Sequence, residues 1–195
     1  MIAAMGGFLI GSIVAFMLAV SFVYSKTMER AIYPWAIIVK SIPIVAIAPL
    51  LTIWLGYGIA PKITIAAIVS FFPILVNATQ GLQSVDYQAM EFLQLLGATK
   101  WEIFLKLRFP NSLPYLFSSF KISATIAVIG AIVAEFTGSE AGIGSVIIAA
   151  GYRLDSPLLF ASIFMSSFAS IGMLYVIVLV EKVCINWPID KGKEG

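Results

Sequence analysis

The chain is organised around residues 86–114, whose sequence is DYQAMEFLQLLGATKWEIFLKLRFPNSLP. This stretch, called the charged segment below, is the one long interruption of an otherwise apolar sequence. It holds six of the chain's charged residues: Asp86, Glu91, Lys100, Glu102, Lys106 and Arg108. A charged stretch between two apolar runs is typical of a segment that lies in a membrane interface or is presented to a soluble partner.

The charged segment has the periodicity of an amphipathic helix. Five residues fall within about 100° of a helical wheel, the width of one apolar stripe: Leu93, Leu96, Gly97, Phe104 and Leu107. Glu102 and Lys106 lie on the other side and form an i,i+4 pair in the favourable order. Pro110 and Pro114 are predicted to end the helix and to open the next apolar run.

Composition places the chain in the membrane. Of 195 residues, 61% are hydrophobic and only 11% are charged, which is far from the norm for soluble proteins. There is no histidine and only one cysteine, Cys184, so a zinc cluster, a histidine base and an internal disulfide are excluded. A net charge of +2 is too small to indicate nucleic-acid binding. No Gly-rich phosphate loop ending in Gly-Lys-Ser/Thr is present, so any nucleotide would have to bind elsewhere.

Five apolar runs are long enough to cross about 30 Å of hydrocarbon, at residues 1–25, 33–55, 63–85, 113–135 and 156–180. Small residues recur at every fourth position of the first run: Ala3, Gly7, Gly11, Ala15 and Ala19. This spacing lets helices approach closely and predicts packing against the chain's own helices, with a dimer face as the alternative. Residues 143–150 predict a short interfacial or re-entrant helix. The predicted fold is an all-α, polytopic membrane bundle of about five transmembrane helices.

Four residues are candidates for a translocation path. Ser41 and Pro43 predict a kinked helix near the path, because a proline inside a span frees backbone groups that protein or water must satisfy; an ordinary packing kink is the alternative. Asn77 would face the path or bond to a neighbouring helix, and Glu135 ends the fourth span. Lys40 lies within a span but near its start, and we expect it to reach the near interface.

Lys121 is expected to reach that same interface.

Basic residues divide unequally between the two sides. Eight fall on the side of the charged segment: Lys26, Arg30, Lys100, Lys106, Arg108, Lys182, Lys191 and Lys193. Only Lys62 and Arg153 fall on the other side. The positive-inside rule therefore places the charged segment and the C-terminus in the cytoplasm and Met1 outside.

The spacing of the charged segment resembles that of one transporter family. Type I binding-protein-dependent ABC importers carry a cytoplasmic loop that reads Glu-Ala-Ala, three residues, Gly, nine residues, Ile-x-Leu-Pro. Here Glu91-Phe92-Leu93 is followed by three residues, Gly97, nine residues and Leu107-Arg108-Phe109-Pro110. Glu91, Gly97 and Pro110 are kept, and other apolar residues replace the rest. Nearby words such as LLGATKWEIF resemble the permeases of the nitrate, sulfonate and taurine group and their relatives for pyrimidine, thiamine and riboflavin precursors.

The resemblance implies a function. Residues 1–187 would form one transmembrane permease domain of an ATP-driven importer in a bacterial or archaeal cell membrane, followed by a polar tail, residues 188–195. Residues 86–110 would be the coupling loop that docks on a cytosolic ATPase dimer, through Glu91, Phe92, Leu93, Leu96, Gly97, Ala98 and Pro110. ATP and Mg would bind the ATPase, and this chain would bind no cofactor and catalyse nothing. A second, identical permease subunit and an extracytoplasmic solute-binding protein would complete the importer.

Family members usually begin inside with an additional N-terminal helix, whereas the charge count places Met1 outside here. Three rival functions are a secondary transporter driven by an ion gradient, an energy-coupling-factor subunit and a membrane enzyme. The first usually needs ionisable groups at the bilayer midplane, the second has paired Ala-Arg-Gly motifs that are absent here, and the third lacks a catalytic constellation. The solute is expected to be a small oxyanion, sulfonate or vitamin precursor, chosen mostly by the binding protein.

Overall fold

The computed structural model describes residues 1–137, 139 and 141–185. Every regular element in these residues is helical: α1 Ile2–Tyr24, α2 Lys26–Ser41, α3 Ile44–Leu55, α4 Ile59–Gln83, α5 Tyr87–Leu95, α6 Lys100–Ile103, a π-helical turn Phe104–Arg108, α7 Phe109–Glu135, α8 Ile143–Tyr152 and α9 Ser156–Cys184. The predicted all-α class is confirmed. The predicted polar tail, residues 188–195, lies outside the described residues.

Four helices in the described part of the chain are long and apolar enough to cross a membrane. They are α1, α4, the continuous helix Lys100–Glu135 and α9. The pair α2 and α3 passes the same test together, although it is bent by 98°, and it makes a fifth candidate span. This agrees with the five predicted spans. The short helix predicted at residues 143–150 is α8, which is too short to cross.

Helix α4 lies at the centre of the bundle, with α1 on one side and α7 on the other. The small residues of α1 face α4. A Cβ atom on Gly11 would lie 2.6 Å from the carbonyl oxygen of Ala67, and Ala15 and Ala19 are fully buried. Close backbone approach matters here because lipid tails are as apolar as the side chains, so van der Waals contact drives association between helices. The small-residue stripe therefore packs against the chain's own helix, as predicted.

On its other side, α4 is joined to α7 by hydroxyl groups as well as by apolar packing. Ser123 Oγ donates to the carbonyl oxygen of Ser70 at 3.1 Å, and both side chains are fully buried. A Cβ atom on Gly130 would lie 2.8 Å from a methyl group of Val69. Interhelical hydrogen bonds of this kind contribute about 0.6 kcal/mol each on average in membranes. Their main effect here is to fix the register of α7 on α4.

The two ends of the bundle differ. The C-termini of α1 and α4 lie beside the charged segment, because Tyr24 Oη donates to the carbonyl oxygen of Lys100 at 3.4 Å and Arg108 Nη1 donates to that of Leu82 at 2.7 Å. We call this end the charged end and the other the opposite end. Helices α1 and α4 both run from the opposite end to the charged end, and the long helix Lys100–Glu135 runs back.

The break between α2 and α3 confirms the kink predicted at Ser41 and Pro43. Pro43 has no N–H and restricts the preceding residue, so Ile42 takes an extended conformation with φ −75° and ψ 128°. The two helices meet there at 98°. Pro34 and Pro49, by contrast, lie inside α2 and α3 without breaking them.

The prediction that Pro110 and Pro114 end a helix is wrong. The helix that starts at Lys100 continues through both prolines to Glu135, over 36 residues. The turn before Pro110 is π-helical, with Phe109 N bonded to the carbonyl oxygen of Phe104. This wider turn gives the ring of Pro110 room, and packing against α4 and α1 holds the helix continuous.

Lys121, which we expect to reach the near interface, has an acidic partner on another helix. Lys121 Nζ lies 2.6 Å from Glu181 Oε2, in an ion pair that joins α7 to α9. Glu181 belongs to α9. The sequence places these two residues in different segments, so only the packing of α9 on α7 brings them together. Apart from Glu181 and the buried residues Ser162 and Met173, α9 is largely exposed in the single chain.

Candidate functional site

The first candidate site is the charged segment, which folds as two short helices joined by a tight turn. Asp86 caps α5, and its carboxylate accepts from Gln88 N at 3.3 Å. After α5, Gly97 adopts φ 74°, a left-handed conformation that favours glycine. Ala98 N bonds to the carbonyl oxygen of Leu93 and Gly97 N to that of Gln94, both at 3.0 Å. These two bonds form a Schellman motif, which fixes the angle at which the chain leaves α5.

The second helix of the charged segment starts at a capping box. Glu102 N donates to Thr99 Oγ1 at 3.3 Å, and Thr99 N donates to Glu102 Oε2 at 2.8 Å. The backbone and hydroxyl of Thr99, aided by the charge of Lys106, lower the pKa of the Glu102 carboxyl below its usual value. About 20 residues cross the hydrocarbon, so the first turns of the 36-residue helix, including Glu102, lie outside it. The predicted Glu102–Lys106 pair is present, at 3.7 Å.

The charged segment presents large apolar side chains to its surroundings. Phe92 and Leu96, both predicted as docking residues, are 62% and 67% exposed, whereas Leu93 and Ala98 are half-buried. Glu91 is exposed on the same short helix. Sequence reasoning missed three further exposed residues, Tyr87, Leu95 and Trp101. Trp101 carried a signal, because aromatic residues are enriched at protein interfaces relative to the rest of the surface.

The inner side of the charged segment is anchored to the bundle. Phe104 is buried and packs against Phe109, which in turn meets Phe16 of α1 at 6.1 Å between ring centroids. Asn111 Nδ2 donates to the carbonyl oxygens of Gly81 and Ser84, at 3.1 and 3.2 Å, and so caps the end of α4. Pro110, the last residue of the predicted motif, is half-buried in the first turn of α7. Force applied to this unit would therefore reach α1, α4 and α7 directly.

The second candidate site is a cavity of about 400 Å³ at the break between α2 and α3. Ser41 and Pro43, two of the four path candidates, line it together with the middle of α4 and Ile126 of α7. Asn77 does not line it, and its amide donates to the carbonyl oxygen of Pro73 in its own helix at 2.8 Å. Among the residues that the structure describes, Asn77 also forms no hydrogen bond to a neighbouring helix, which was the alternative given for it.

Glu135 lies away from this cavity, at the opposite end. Its carboxylate is 3.5 Å from Lys62 Nζ and accepts from Gly144 N at 2.8 Å. Lys62 Nζ also donates to Ser139 Oγ at 2.6 Å. Both side chains of the pair are less than one-fifth exposed. This cluster joins α4, α7 and α8, so Glu135 closes the opposite end of the bundle.

Lys40 is placed differently from the prediction. Its ammonium nitrogen lies 4.4 Å from the ring centroid of Phe72. Phe72 is halfway along α4, which runs from Ile59 to Gln83. The expectation that Lys40 reaches the near interface is therefore wrong. It failed because Tyr33 was taken as the start of the span, whereas α2 starts at Lys26 and carries Lys40 much deeper into the bundle.

Comparison with known proteins now decides the family. The family model described as "Binding-protein-dependent transport system inner membrane component" matches residues 7–183. The chain belongs to this family. It is an ABC importer permease subunit and a multi-pass membrane protein, and membership of a transport permease family points to a non-catalytic role.

Several known permeases are similar in sequence to this one over most of its length. The formylaminopyrimidine transport permease ThiX of Halalkalibacterium halodurans is 33% identical over 93% of this chain and 72% of its own length. The riboflavin transport system permease RibX of Chloroflexus aurantiacus is 30% identical over 95% of this chain and 69% of its own length. A putative aliphatic sulfonates transport permease of Bacillus subtilis, SsuC, is 30% identical over 93% of this chain and 66% of its own length. The names of these relatives match the permease groups that the stretch LLGATKWEIF and its neighbours resemble.

The fold of the permease also matches a solved importer. An inward-facing structure of the MetNI methionine ABC transporter superposes with a TM-score of 0.76, covering 95% of this chain and 91% of that chain at 18% identity. This likeness concerns the fold alone. Within the described residues, no group of three or more acidic, histidine or cysteine side chains is arranged to hold a metal ion.

Proposed function

We propose that residues 86–110 of this permease are its coupling loop, which docks into a cleft of a cytosolic ATPase subunit. The observation that carries the proposal is the exposed apolar surface of Phe92, Leu95, Leu96 and Trp101 on a rigid two-helix unit. Buried aromatic and aliphatic anchors supply most of the energy of an interface, and charges at the rim orient it. Glu91 is the rim charge nearest to Phe92 in the chain.

The alternative for this surface is the lipid interface, where amphipathic helices also place apolar side chains. It is disfavoured by the acidic residues of the unit, Asp86, Glu91 and Glu102, which anionic lipid would repel. The Schellman turn at Gly97 also matters, because it folds α5 away from the line of α6 and makes a projecting unit rather than one flat helix.

The orientation that we propose places the charged end in the cytoplasm. Six basic residues of the described chain belong to that end: Lys26, Arg30, Lys100, Lys106, Arg108 and Lys182. Only Lys62 and Arg153 belong to the opposite end, and Lys62 is paired with Glu135. This asymmetry follows the positive-inside rule.

The whole importer would then contain two permease subunits, two ATPase subunits and a solute-binding protein. ATP and Mg would bind the ATPase subunits, whose closure would move the two coupling loops. Because each loop is fixed to α1, α4 and α7, that movement would rock the bundles as rigid bodies and switch the path between its two openings. A symmetric pair is expected, since one bundle forms only one wall of a central path. The binding protein would dock at the opposite end, near residues 56–61 and 137–156.

The solute is proposed as a small polar molecule of the kinds named for the relatives, an oxyanion or sulfonate or a vitamin precursor. In this proposal the solute-binding protein determines most of the selectivity for the solute. The permease contributes the path and, through the cavity at the α2–α3 break, the surface that the solute meets halfway across.

The experiment that tests the proposal is co-purification. Tagged permease is expressed together with the ABC ATPase encoded beside it, extracted in detergent and assayed for bound ATPase and ATP hydrolysis. We expect the ATPase to bind wild-type permease and to be lost with Gly97→Pro, which removes the N–H that closes the turn. Permease that purifies alone in both cases would contradict the proposal.

A secondary transporter driven by an ion gradient is the second candidate, because the spans do contain ionisable groups. Lys40 lies halfway across the bundle, and Lys121 and Glu181 pair between two spans. Such groups often carry coupling ions in secondary transporters. Uptake into proteoliposomes separates the two candidates, since an importer stops when ATP is withheld and a secondary transporter stops when a protonophore collapses the gradient.

A further inference from the structure

The cavity at the α2–α3 break lies at mid-depth in the bundle. Phe71 and Phe72, which line it, are the central residues of α4, a helix long enough to cross the whole hydrocarbon. Lys40 and Ser41 line the same cavity, at the end of α2, and both are exposed in the single chain. The cavity therefore places an ammonium group and a hydroxyl group halfway between the two membrane surfaces.

A lysine at this depth does not face lipid. Charged side chains within spans almost always face the bundle interior or a water-filled space, because hydrocarbon cannot solvate them. The helix is also broken beside Lys40, and a break of this kind inside a span is tolerated only where protein or water surrounds it. The exposed side of Lys40 therefore faces water in the path.

Within the described residues, Lys40 has no acidic partner. The four ion pairs found there involve other lysines: Lys26, Lys62, Lys106 and Lys121. Lys100 and Lys182 have no ion pair either, but both lie at the charged end, whereas the Lys40 ammonium contacts the face of the Phe72 ring at mid-depth. That contact leaves the three N–H donors of the ammonium for another acceptor. A charged side chain within a span normally pairs with an opposite charge or with backbone carbonyls.

The remainder of the lining is apolar, with Ile44, Ile68 and Ile126 among its side chains. A volume of about 400 Å³ is at the small end of the range for ligand cavities. A solute that matched this cavity would place one anionic group on Lys40 and an apolar body against the isoleucines and Phe71.

We infer that Lys40 and Ser41 form a transient binding site for the anionic head group of a small organic solute as it crosses the permease. This inference rests on the proposed importer function and names the class of its solute, a small anion with an apolar body, such as an alkyl sulfonate or carboxylate. Neutral vitamin precursors do not fit this site, because they leave the Lys40 ammonium without its partner.

The charge in the cavity is measurable without knowing the solute. Cys184 is the only cysteine of the chain, so Ser41→Cys in a Cys184→Ser background carries one thiol beside Lys40. The modification rates of this thiol by an anionic reagent (sulfonatoethyl methanethiosulfonate) and by a cationic one (trimethylammonioethyl methanethiosulfonate) are compared in the full-length, detergent-purified permease.

A unit charge about 8 Å away in a water-filled cavity changes each rate about two- to threefold. The two reagents change in opposite directions, so Lys40→Gln is expected to lower the anionic-to-cationic rate ratio about five- to tenfold. Lys40→Arg keeps the charge and is expected to keep the ratio. A ratio that changes less than twofold in Lys40→Gln, or a thiol that neither water-soluble reagent reaches, would overturn the inference.

The solute class is tested by protection of the same thiol from N-ethylmaleimide, with butane-1-sulfonate and uncharged butyramide as probes. We expect the sulfonate to slow modification, butyramide to have no effect, and Lys40→Gln to abolish protection. No protection by the sulfonate, equal protection by butyramide, or protection that survives Lys40→Gln would each refute the anion site. ATPase co-purification is measured on the same samples, and its loss in every variant would refute the coupling loop while leaving these rates interpretable.

Discussion

Phe92→Ala tests the docking surface of the coupling loop most directly. The Phe92 side chain is 62% exposed in the single chain. A phenylalanine presents roughly 200 Å² in all, so about 125 Å² would be removed from water when the ATPase covers it. At about 25 cal/mol per Å², this burial contributes about 3 kcal/mol to docking. Since 1.4 kcal/mol is tenfold in affinity, Phe92→Ala is expected to raise the Kd of the permease for its ATPase about 100-fold.

The assay is a titration of detergent-solubilised permease with the purified ATPase, followed by the fluorescence of a labelled ATPase. Phe164→Ala is the matched control, because Phe164 is 64% exposed but lies on α9, among the spans. It is expected to leave the Kd unchanged. A change of less than about threefold for Phe92→Ala, or equal losses for both variants, would refute the reasoning that this face of α5 docks on the ATPase.

Three further predictions follow from other contacts. Gly97→Pro and Glu91→Lys are expected to abolish solute uptake while the amount of inserted permease stays normal, and normal uptake in both would refute the coupling role. Gly11→Val places a side chain against the Ala67 carbonyl oxygen and is expected to lower the Tm in detergent by several degrees, whereas Gly172→Val, with open space around it, is expected to leave it unchanged. Lys121→Met alone is expected to destabilise the protein, because it leaves the Glu181 carboxylate without its cation. The double variant Lys121→Met/Glu181→Leu is expected to recover most of that loss of stability. Equal losses in the single and double variants would show that the pair is not coupled.

Much of the fold was predictable because membrane helices are constrained by local composition. An apolar run of about 20 residues identifies a span regardless of its neighbours, and the residues at positions 3, 7, 11, 15 and 19 identified the face of α1 that meets α4. The turn at Gly97 also has a local cause, since glycine adopts the left-handed conformation without a steric penalty. In these cases the signal lies within one turn or one helix.

The errors arose where a property depends on two segments at once. Pro110 was taken as a helix stop, but the π-helical turn before it and the contacts of α7 with α4 keep the helix continuous. The partner of Lys121 was not predicted, because Glu181 lies 60 residues later in the chain and meets it only through packing. No periodicity within a single helix carries information about either outcome.

Lys40 shows how one such error changes the functional argument. Its depth was judged from the start of the apolar run, which assumes that the span begins where the hydrophobic residues begin. The helix instead begins at Lys26, in polar sequence, and continues without a break to Ser41. Two further turns of helix are enough to move the ammonium from the interface to the middle of α4. A cation at mid-depth must face water or an anion. The length of α2 before its apolar part sets the depth of Lys40, and that depth decides whether the path favours anionic solutes.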